Sequence, residues 1–500
     1  MTCVIALDCS TTAAKAVAFA ADGTAIASSR ARLSRNSPHP GWGEQSAESW
    51  WKATSTALRD LMRQLDDLGE GPPQAISMAH QRETFVCLDA NGDEVRPGIL
   101  WLDTRAHEQI AEFGSPEVHR ISGKPPGTTP SIYKLLWLKE HEPEALERTA
   151  MVIDVHGYLV HKLTGEYATS TASADPLSMV DMASFTWSEQ LLGMVGLTVD
   201  QVPALFEPGA IIATVTDDAA AATGLPVGLP VVAGAGDGQA AGLGAAVVAS
   251  GNAYLSLGTS LTLGVHSIDY RTSMAYRTLS SPIAGAYTLE GLVASGALSI
   301  GWFREHIAQL ADTPSADASL GDLAESVPAG ANGLLFLPYL TSAETPYWDA
   351  AARGAFVGLG DYHGLGDMAR AIFEGLGLEI RLLLEAIEKD TDEPITAVTA
   401  MGGASQSETL MQILADIMQR DITVAAETET VALGAGILAA FGVGFEGQTD
   451  IGEIAARMTG ISTVYQPNPE MKSLYDNLFG VYTTLYPSLK GAFAALAQFR

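Results

Sequence analysis

Apolar and polar positions alternate in short blocks from the first residues onward. VIAL, residues 4–7, ends at Asp8, the polar loop CSTTAAK follows, and AVAF, residues 16–19, leads into an Ala21-Asp22-Gly23-Thr24 turn. That pattern predicts strand, loop, strand and a hairpin. A helix is expected over residues 46–68, with Ser46 as its cap and Trp50, Leu58, Leu61, Leu65 and Leu68 at helical spacing. AISMA and TFVCL read as further strands, residues 123–130 as a Gly/Pro loop, and Ser131 as the start of another helix. Near residue 245 the theme restarts: YLSLGTSLTLGV is again strand, small-residue turn with Thr, strand. Two such units, one opening each half, predict an internally duplicated, two-lobed α/β protein with a central cleft. Later, Asp367 is expected to cap a long helix bearing Ile372, Leu376, Ile380, Leu383 and Ile387, residues 408–418 form another, and the tail from Ile451 reads as two more. The expected division is an N-terminal lobe over 1–245, a C-terminal lobe over 246–445, and a helical tail over 446–500 packed on the latter.

Composition narrows the classes. At 500 residues with 47% hydrophobic and 17% charged residues, the chain is long enough for two cores and too apolar for disorder. A net charge of −30 repels nucleic acid and anionic membrane, so neither is expected as a partner. An anionic ligand would therefore depend on metal ions and backbone N–H groups. Three cysteines without metal-ligand spacing fit a reducing cytoplasm, and the start MTCVIALD has no basic leader. Residues 238–268 carry no Asp, Glu, Lys or Arg, but Gly242, Gly244, Gly251, Gly258 and Gly264 break the run. Short buried strands with glycine turns fit it better than a membrane span.

Several loops could carry chemistry. Asp8 ends a strand, hydroxyls follow at Ser10, Thr11 and Thr12, and Lys15 closes the loop. Hydroxyls and turn N–H groups can cradle a polyphosphate while Asp8 holds Mg²⁺ through water. The plain alternative is a hairpin whose hydroxyls satisfy its own turn. SLGTS at 256–260 is a second such turn, and MGGAS at 401–405 sets two glycines between strand and helix, where a nucleotide can approach the backbone. Asp237 stands among small residues after an apolar strand, either as a base for a substrate hydroxyl or as a strand-end turn. HQRET places Arg82 and Glu83 together, and WLDTR adds Trp101 and Asp103. Donors, acceptors and an aromatic face suit a neutral polyol, although a surface ion pair and a core tryptophan would look the same.

Two long patterns in these residues resemble the FGGY carbohydrate kinases. GAFVGLGDYHGLGDMARAIFE, residues 354–374, fits that family's C-terminal signature, and SIYKLLWLKEH, residues 131–141, fits the other signature apart from Thr129. The resemblance implies two actin-like, ribonuclease H-like lobes closing on MgATP and a sugar. It implies Asp237 as catalytic base, Thr11, Thr12, Ala13 and Lys15 as the first phosphate loop, and Asp8, with Asp237, at the magnesium. Gly258 and Thr259 would form the second phosphate loop, with Ala297, Gly301, Gly402, Gly403 and Ser407 around the nucleotide. Arg82, Glu83, Trp101, Asp103 and Gln239 would hold the acceptor. Cys9-Ser10 replaces the usual residue-Gly pair, and Gly238 stands where Asn or Gln often follows the base. QRE resembles glycerol kinases, whereas WLDTR, NSPHPGWGEQ and SMVDM look closer to pentulose kinases. The resemblance therefore implies an ATP-dependent cytoplasmic kinase for a terminal hydroxyl of a small ketose, D-xylulose first, with glycerol, a tetritol or another linear polyol as alternative. It allows a homodimer. A non-catalytic actin-like ATP-binding scaffold is the more remote reading.

Overall fold

The computed structural model of the chain describes residues 2–310 and 314–499. Its N-terminal part is built on six strands, β1 (Val4–Cys9), β2 (Ala13–Phe19), β3 (Ala25–Arg32), β4 (Ile76–His80), β5 (Ile211–Thr214) and β6 (Pro230–Gly236), in the order β5-β6-β4-β1-β2-β3. β1 is central and parallel to β4, and a strand covered on both faces is apolar throughout, as VIAL is. Successive side chains leave opposite faces. Ile5, Leu7 and Cys9 meet Trp50, Leu58 and Leu61 of α1 (Ala47–Leu68), while Val4, Ala6, Val17 and Phe19 meet Leu433 and Ile437 from far along the chain. α1 begins after Ser46, but the Ser46 side chain does not cap it. Its hydroxyl donates to Glu94 (2.8 Å), whose other oxygen takes the Ala47 N–H (2.7 Å), so a full negative charge from a loop stabilises the helix start. α2 (Ser131–His141) starts where the pattern predicts.

The glycine-rich segment after β6 differs from expectation. Residues 237–244 form a helix, α3 (Asp237–Gly244), and not a strand. The second sheet then comprises β7 (Asn252–Leu257), β8 (Leu261–Ser267), β9 (Arg277–Ser280), β10 (Tyr287–Val293), β11 (Ala397–Met401), β12 (Ile422–Ala425) and β13 (Ile461–Tyr465), ordered β9-β10-β8-β7-β11-β12-β13. Both sheets repeat one plan. The first strand pairs antiparallel with the second, and the second with a further antiparallel strand, β3 in one sheet and β10 in the other, where β9 is added at the edge; a parallel strand lies on the other side of the first, then another parallel strand, then an antiparallel one. The two-lobed duplication is thus present in the strand order.

Among the further helices, those that bear on the cleft and the tail are α4 (Ala297–Trp302), α5 (Leu365–Thr391), α6 (Glu408–Met418), α7 (Thr430–Gly442), α8 (Ile451–Met458) and α9 (Lys472–Leu496). Asp367 is the third residue of α5 and not its cap; its carboxylate turns back to accept the Gly364 N–H at 2.8 Å. The tail is not helical throughout, because Ile461-Ser-Thr-Val-Tyr465 is rich in β-branched residues and adds β13 to the sheet edge. α8 packs Ile454, Ala455 and Met458 into the core of the first sheet, whereas α9 packs Tyr475, Tyr482 and Tyr486 into the core of the second. No helix among the described residues is long and apolar enough to cross a membrane.

α9 is pinned by its tyrosines. Tyr475, Tyr482 and Tyr486 donate to Glu374 (2.9 Å), Glu379 (2.6 Å) and Asp349 (2.8 Å), and Tyr339 also donates to Glu379. Burial pushes the Glu379 carboxyl up to about 7 despite these donors. Because this acid is harder to ionise in the folded chain, it disfavours folding as pH rises from about 4.5 through about 7. The loss is on the order of 3 kcal/mol. Glu379→Gln should abolish that fall, so the variant's stability relative to wild type should rise between pH 5 and pH 8 in denaturant titrations. Parallel pH profiles would remove Glu379 as the source.

Candidate active site

The site begins at the β1–β2 hairpin. Asp8 and Lys15 are directly opposed in the antiparallel ladder and share the face that α7 covers. Lys15 Nζ lies 2.5 Å from Glu429, the residue preceding α7, so its charge is already partnered. Asp8 Oδ1 is buried with no hydrogen-bond partner. Burial, with the Asp237 and Glu429 carboxylates nearby, pushes the Asp8 carboxyl up to about 7, against the opposing pull of Lys15 and Arg30. A carboxylate oxygen without a donor, among other acids, fits a hydrated divalent cation. Among the described residues no three or more His, Cys, Asp or Glu are grouped to hold a metal ion.

Ser10 closes the hairpin turn on Ala13, and Thr12 is exposed at its tip. Thr11 points elsewhere. Its hydroxyl accepts from Trp101 Nε1 (3.0 Å) and donates to Gln81 (2.9 Å), which ties the hairpin to the indole. Trp101 is 39% exposed and its carbonyl accepts from buried Lys134 (2.9 Å). Asp103 lies behind it, its carboxylate taking Arg105 at 2.9 and 2.7 Å and the Gly43 N–H at 2.7 Å. Arg105 in turn lies 3.7 Å over the Trp42 ring, so the Trp101 loop is braced from beneath.

Asp237 is the first residue of α3, and its side chain is 43% exposed, which departs from the wholly apolar setting that its neighbours in sequence suggest. The carboxylate accepts from Arg82 Nε at 2.9 Å. Arg82 is buried and its Nη1 reaches Gln239 (3.3 Å) and Glu290 (3.1 Å). Glu83 has a left-handed backbone, φ 55°, and its carboxylate accepts from Arg277 at 2.7 Å. Gln239 bridges Arg82 to the buried Lys124–Asp175 pair. Glu290, Arg277, Lys124, Asp175 and Glu429 therefore belong to the site although the motifs do not single them out, and Lys134 joins them from within the 131–141 pattern, which gives it no role of its own. The available signal is a charged residue inside an apolar strand, as in YTLEGLV, where an unpaired charge would be prohibitively costly.

On the other lobe, β7 and β11 run parallel and end side by side, Ser256 opposite Met401. Beyond their ends lie the Gly258-Thr259 turn and the Gly402-Gly403 turn. Gly402 has φ 91°, which glycine tolerates, and a Cβ there would lie 2.9 Å from the Leu257 carbonyl oxygen. The Gly258 and Thr259 carbonyls accept from the Ala297 and Leu298 N–H groups at 3.0 and 3.2 Å, which joins α4 to the turn. A Cβ on Gly301 or Gly403 would meet nothing within 4 Å, so open space lies beside both. Ser407 is occupied as the cap of α6, accepting from the Leu410 N–H. Thr430 closes the arrangement, its hydroxyl 3.0 Å from the Met401 sulfur, one residue from the Glu429 that holds Lys15. One helix start thus touches both the first phosphate-loop candidate and the strand that leads into the Gly402-Gly403 turn.

A carboxylate base, a polar acceptor wall and glycine turns at the ends of parallel strands can align a hydroxyl with a bound polyphosphate. Sequence and structure comparisons agree with that chemistry. Residues 3–244 match the N-terminal domain, and residues 253–443 the C-terminal domain, of the FGGY family of carbohydrate kinases. Xylulose kinase of Escherichia coli is 32% identical, with 83% of this chain and 84% of that protein covered, and glycerol kinase of Methylorubrum extorquens is 29% identical, covering 88% and 89%. Among solved structures, ligand-bound xylulose kinase from Lactobacillus acidophilus superposes with a TM-score of 0.93 at 27% identity over 99% of this chain and 100% of that one. Gluconate kinase from the same organism gives 0.93 at 27% identity over the whole of both chains.

Proposed function

This chain belongs to the FGGY family of carbohydrate kinases and is a phosphotransferase with an alcohol group as acceptor; from that premise we propose that it phosphorylates a small neutral ketose, D-xylulose first. The observation that carries the neutral class is the pairing of the acceptor wall. Arg82, Arg277 and Lys124 are each already held by carboxylates, so a sugar acid such as gluconate would have to displace one of them. Neutral hydroxyls need only accept and donate at the edges of that network.

In this reading Asp237 takes the proton of the attacking hydroxyl and Arg82 orients its carboxylate. Trp101 offers a flat apolar face to the carbon chain. ATP is the phosphoryl donor, with its phosphates at the two hairpin turns and its adenosine beside Gly301, Gly402 and Gly403. Asp8 would hold Mg²⁺ through water, and the ion when bound neutralises charge on the phosphates. Lys15, released from Glu429, would add a cation to the first turn. In this reading these residues carry out the transfer in the cytoplasm.

Coupled ADP release across ketoses, polyols and gluconate, with product mass read in parallel, tests it. D-xylulose should give the highest kcat/KM and a singly phosphorylated product. Preference for glycerol or a tetritol would move the acceptor to linear polyols through Arg82-Glu83. Efficient gluconate turnover would overturn the neutral class, and ATP hydrolysis without any sugar phosphate would favour the scaffold.

A further inference from the structure

Two glycines flank Asp237, and both face the same foreign side chain. A Cβ on Gly236 would stand 2.5 Å from Arg82 Cγ and 2.6 Å from Cδ; one on Gly238 would stand 2.8 Å from Arg82 Nη2 and 2.9 Å from Glu290 Oε2. Arg82 therefore passes Asp237 through a slot that side chains at 236 or 238 would close. At its near end Nε bonds Asp237 (2.9 Å), and at its far end Nη1 bonds both Glu290 oxygens (3.1 and 3.2 Å). Glu290 lies in β10, on the opposite lobe from Asp237, and is wholly buried.

Glu290 gathers more than Arg82. It accepts from Arg277 Nε (2.8 Å) and from the Tyr254 hydroxyl (2.9 Å), and Arg277 then reaches Glu83 (2.7 Å). Two arginines radiate from one carboxylate, one to the base and one to the neighbouring acceptor residue. Burial pushes the Glu290 carboxyl up, but Arg82 and Arg277 outweigh it and hold the group down to about 2, which favours the carboxylate. Arginine has many rotamers, and a single bond to the half-exposed Asp237 cannot select one; anchoring the far nitrogens can.

We propose that Glu290 is a positioning residue for phosphoryl transfer: from the C-terminal lobe it fixes Arg82 in the Gly236–Gly238 slot and thereby orients Asp237, so the base is set only when the lobes meet. This rests on Asp237 being the base. It also gives the Gly238 departure a physical role, since a larger residue there would separate Arg82 from Glu290.

A double-mutant cycle in kcat tests the linkage. Glu290→Gln should lower kcat by about 10- to 100-fold and leave the KM for ATP within about twofold, because a lost structural core would move both. Arg82→Gln should behave similarly, and the double variant should be no slower than the worse single one. Gly238→Ala retains every charge and should lower kcat by about tenfold in the same pattern; it decides the matter if Glu290→Gln does not fold. Losses that multiply in the double variant overturn the proposal. So does a Glu290→Gln kcat within about twofold of wild type, or an unaffected Gly238→Ala. Retained turnover in Asp237→Asn would instead remove the base, and a non-multiplying loss in the cycle would still stand on its own.

Discussion

Asp237→Asn is expected to lower sugar phosphorylation by about a thousandfold while ATP binds with nearly unchanged affinity. A positioned carboxylate base contributes on the order of 10² to 10⁴, and asparagine cannot take the proton. The substitution is otherwise mild. Asparagine Oδ1 can still accept from Arg82 Nε, so the 2.9 Å contact and the slot around it can persist. The glycine turns of the C-terminal lobe lie on other elements and should be untouched. Single-turnover kinetics separate the two quantities, and calorimetric ATP titration gives the second. Turnover within about tenfold of wild type would exclude Asp237 as the base. Equal losses in turnover and ATP affinity would place its role in nucleotide binding.

The largest expected effect on stability is at the crossing of α3 and α7. Gly434→Ala adds a carbon 1.9 Å from the Ala240 carbonyl oxygen and 2.6 Å from its carbon. Neither is a side chain that can rotate away. The helices must part, and Gly244, whose own Cβ would stand 2.0 Å from Thr430 O, makes the contact equally tight from the other side. Overpacking costs about 1–3 kcal/mol where side chains can adjust; here the cost should reach about 3 kcal/mol or more. Alanine's better helix propensity, worth about 1 kcal/mol, does not offset it. Activity should fall further than stability alone requires, because α3 starts at Asp237 and α7 starts beside Glu429. Denaturant unfolding of Gly434→Ala and, as a control, of Gly480→Ala in α9, where a Cβ meets nothing within 4 Å, provides the comparison. A Gly434→Ala variant as stable as the control would show that the crossing is not so tight.

The parts of this structure legible in the sequence are those whose signal is local. Apolar runs closed by Asp8 or Gly258 announce hairpins because strand period and turn chemistry act over a few residues. α1 and α5 are legible from the spacing of their apolar residues. What escapes is long-range. Residues 237–244 look like strand and turn because glycine disfavours helices, and groups outside the segment make glycine there necessary: Arg82 and Glu290 beside Gly238, the Tyr254 ring beside Gly242, and α7 beside Gly244. Ser46 has the right identity for a cap, yet Glu94 outcompetes it from another loop. Asp237 looks buried by its small neighbours, yet the cleft leaves it half open. Glu290 and Arg277 carry no motif. Their role follows from the meeting of two lobes, which no sequence window contains.

The covering of β1 by α7 has a consequence for synthesis. As the chain leaves the ribosome, β1 to β6 and α1 are available early, but one face of their sheet, bearing Val4, Ala6, Val17 and Phe19, lacks most of its cover until Leu433 and Ile437 emerge. The entire second sheet except β13 is made in the interval. A nascent N-terminal half therefore waits with an oily surface exposed, a natural client for a holding chaperone. Splitting the gene near residue 245 would leave that surface bare until the two products found each other through it, and unpaired copies would aggregate.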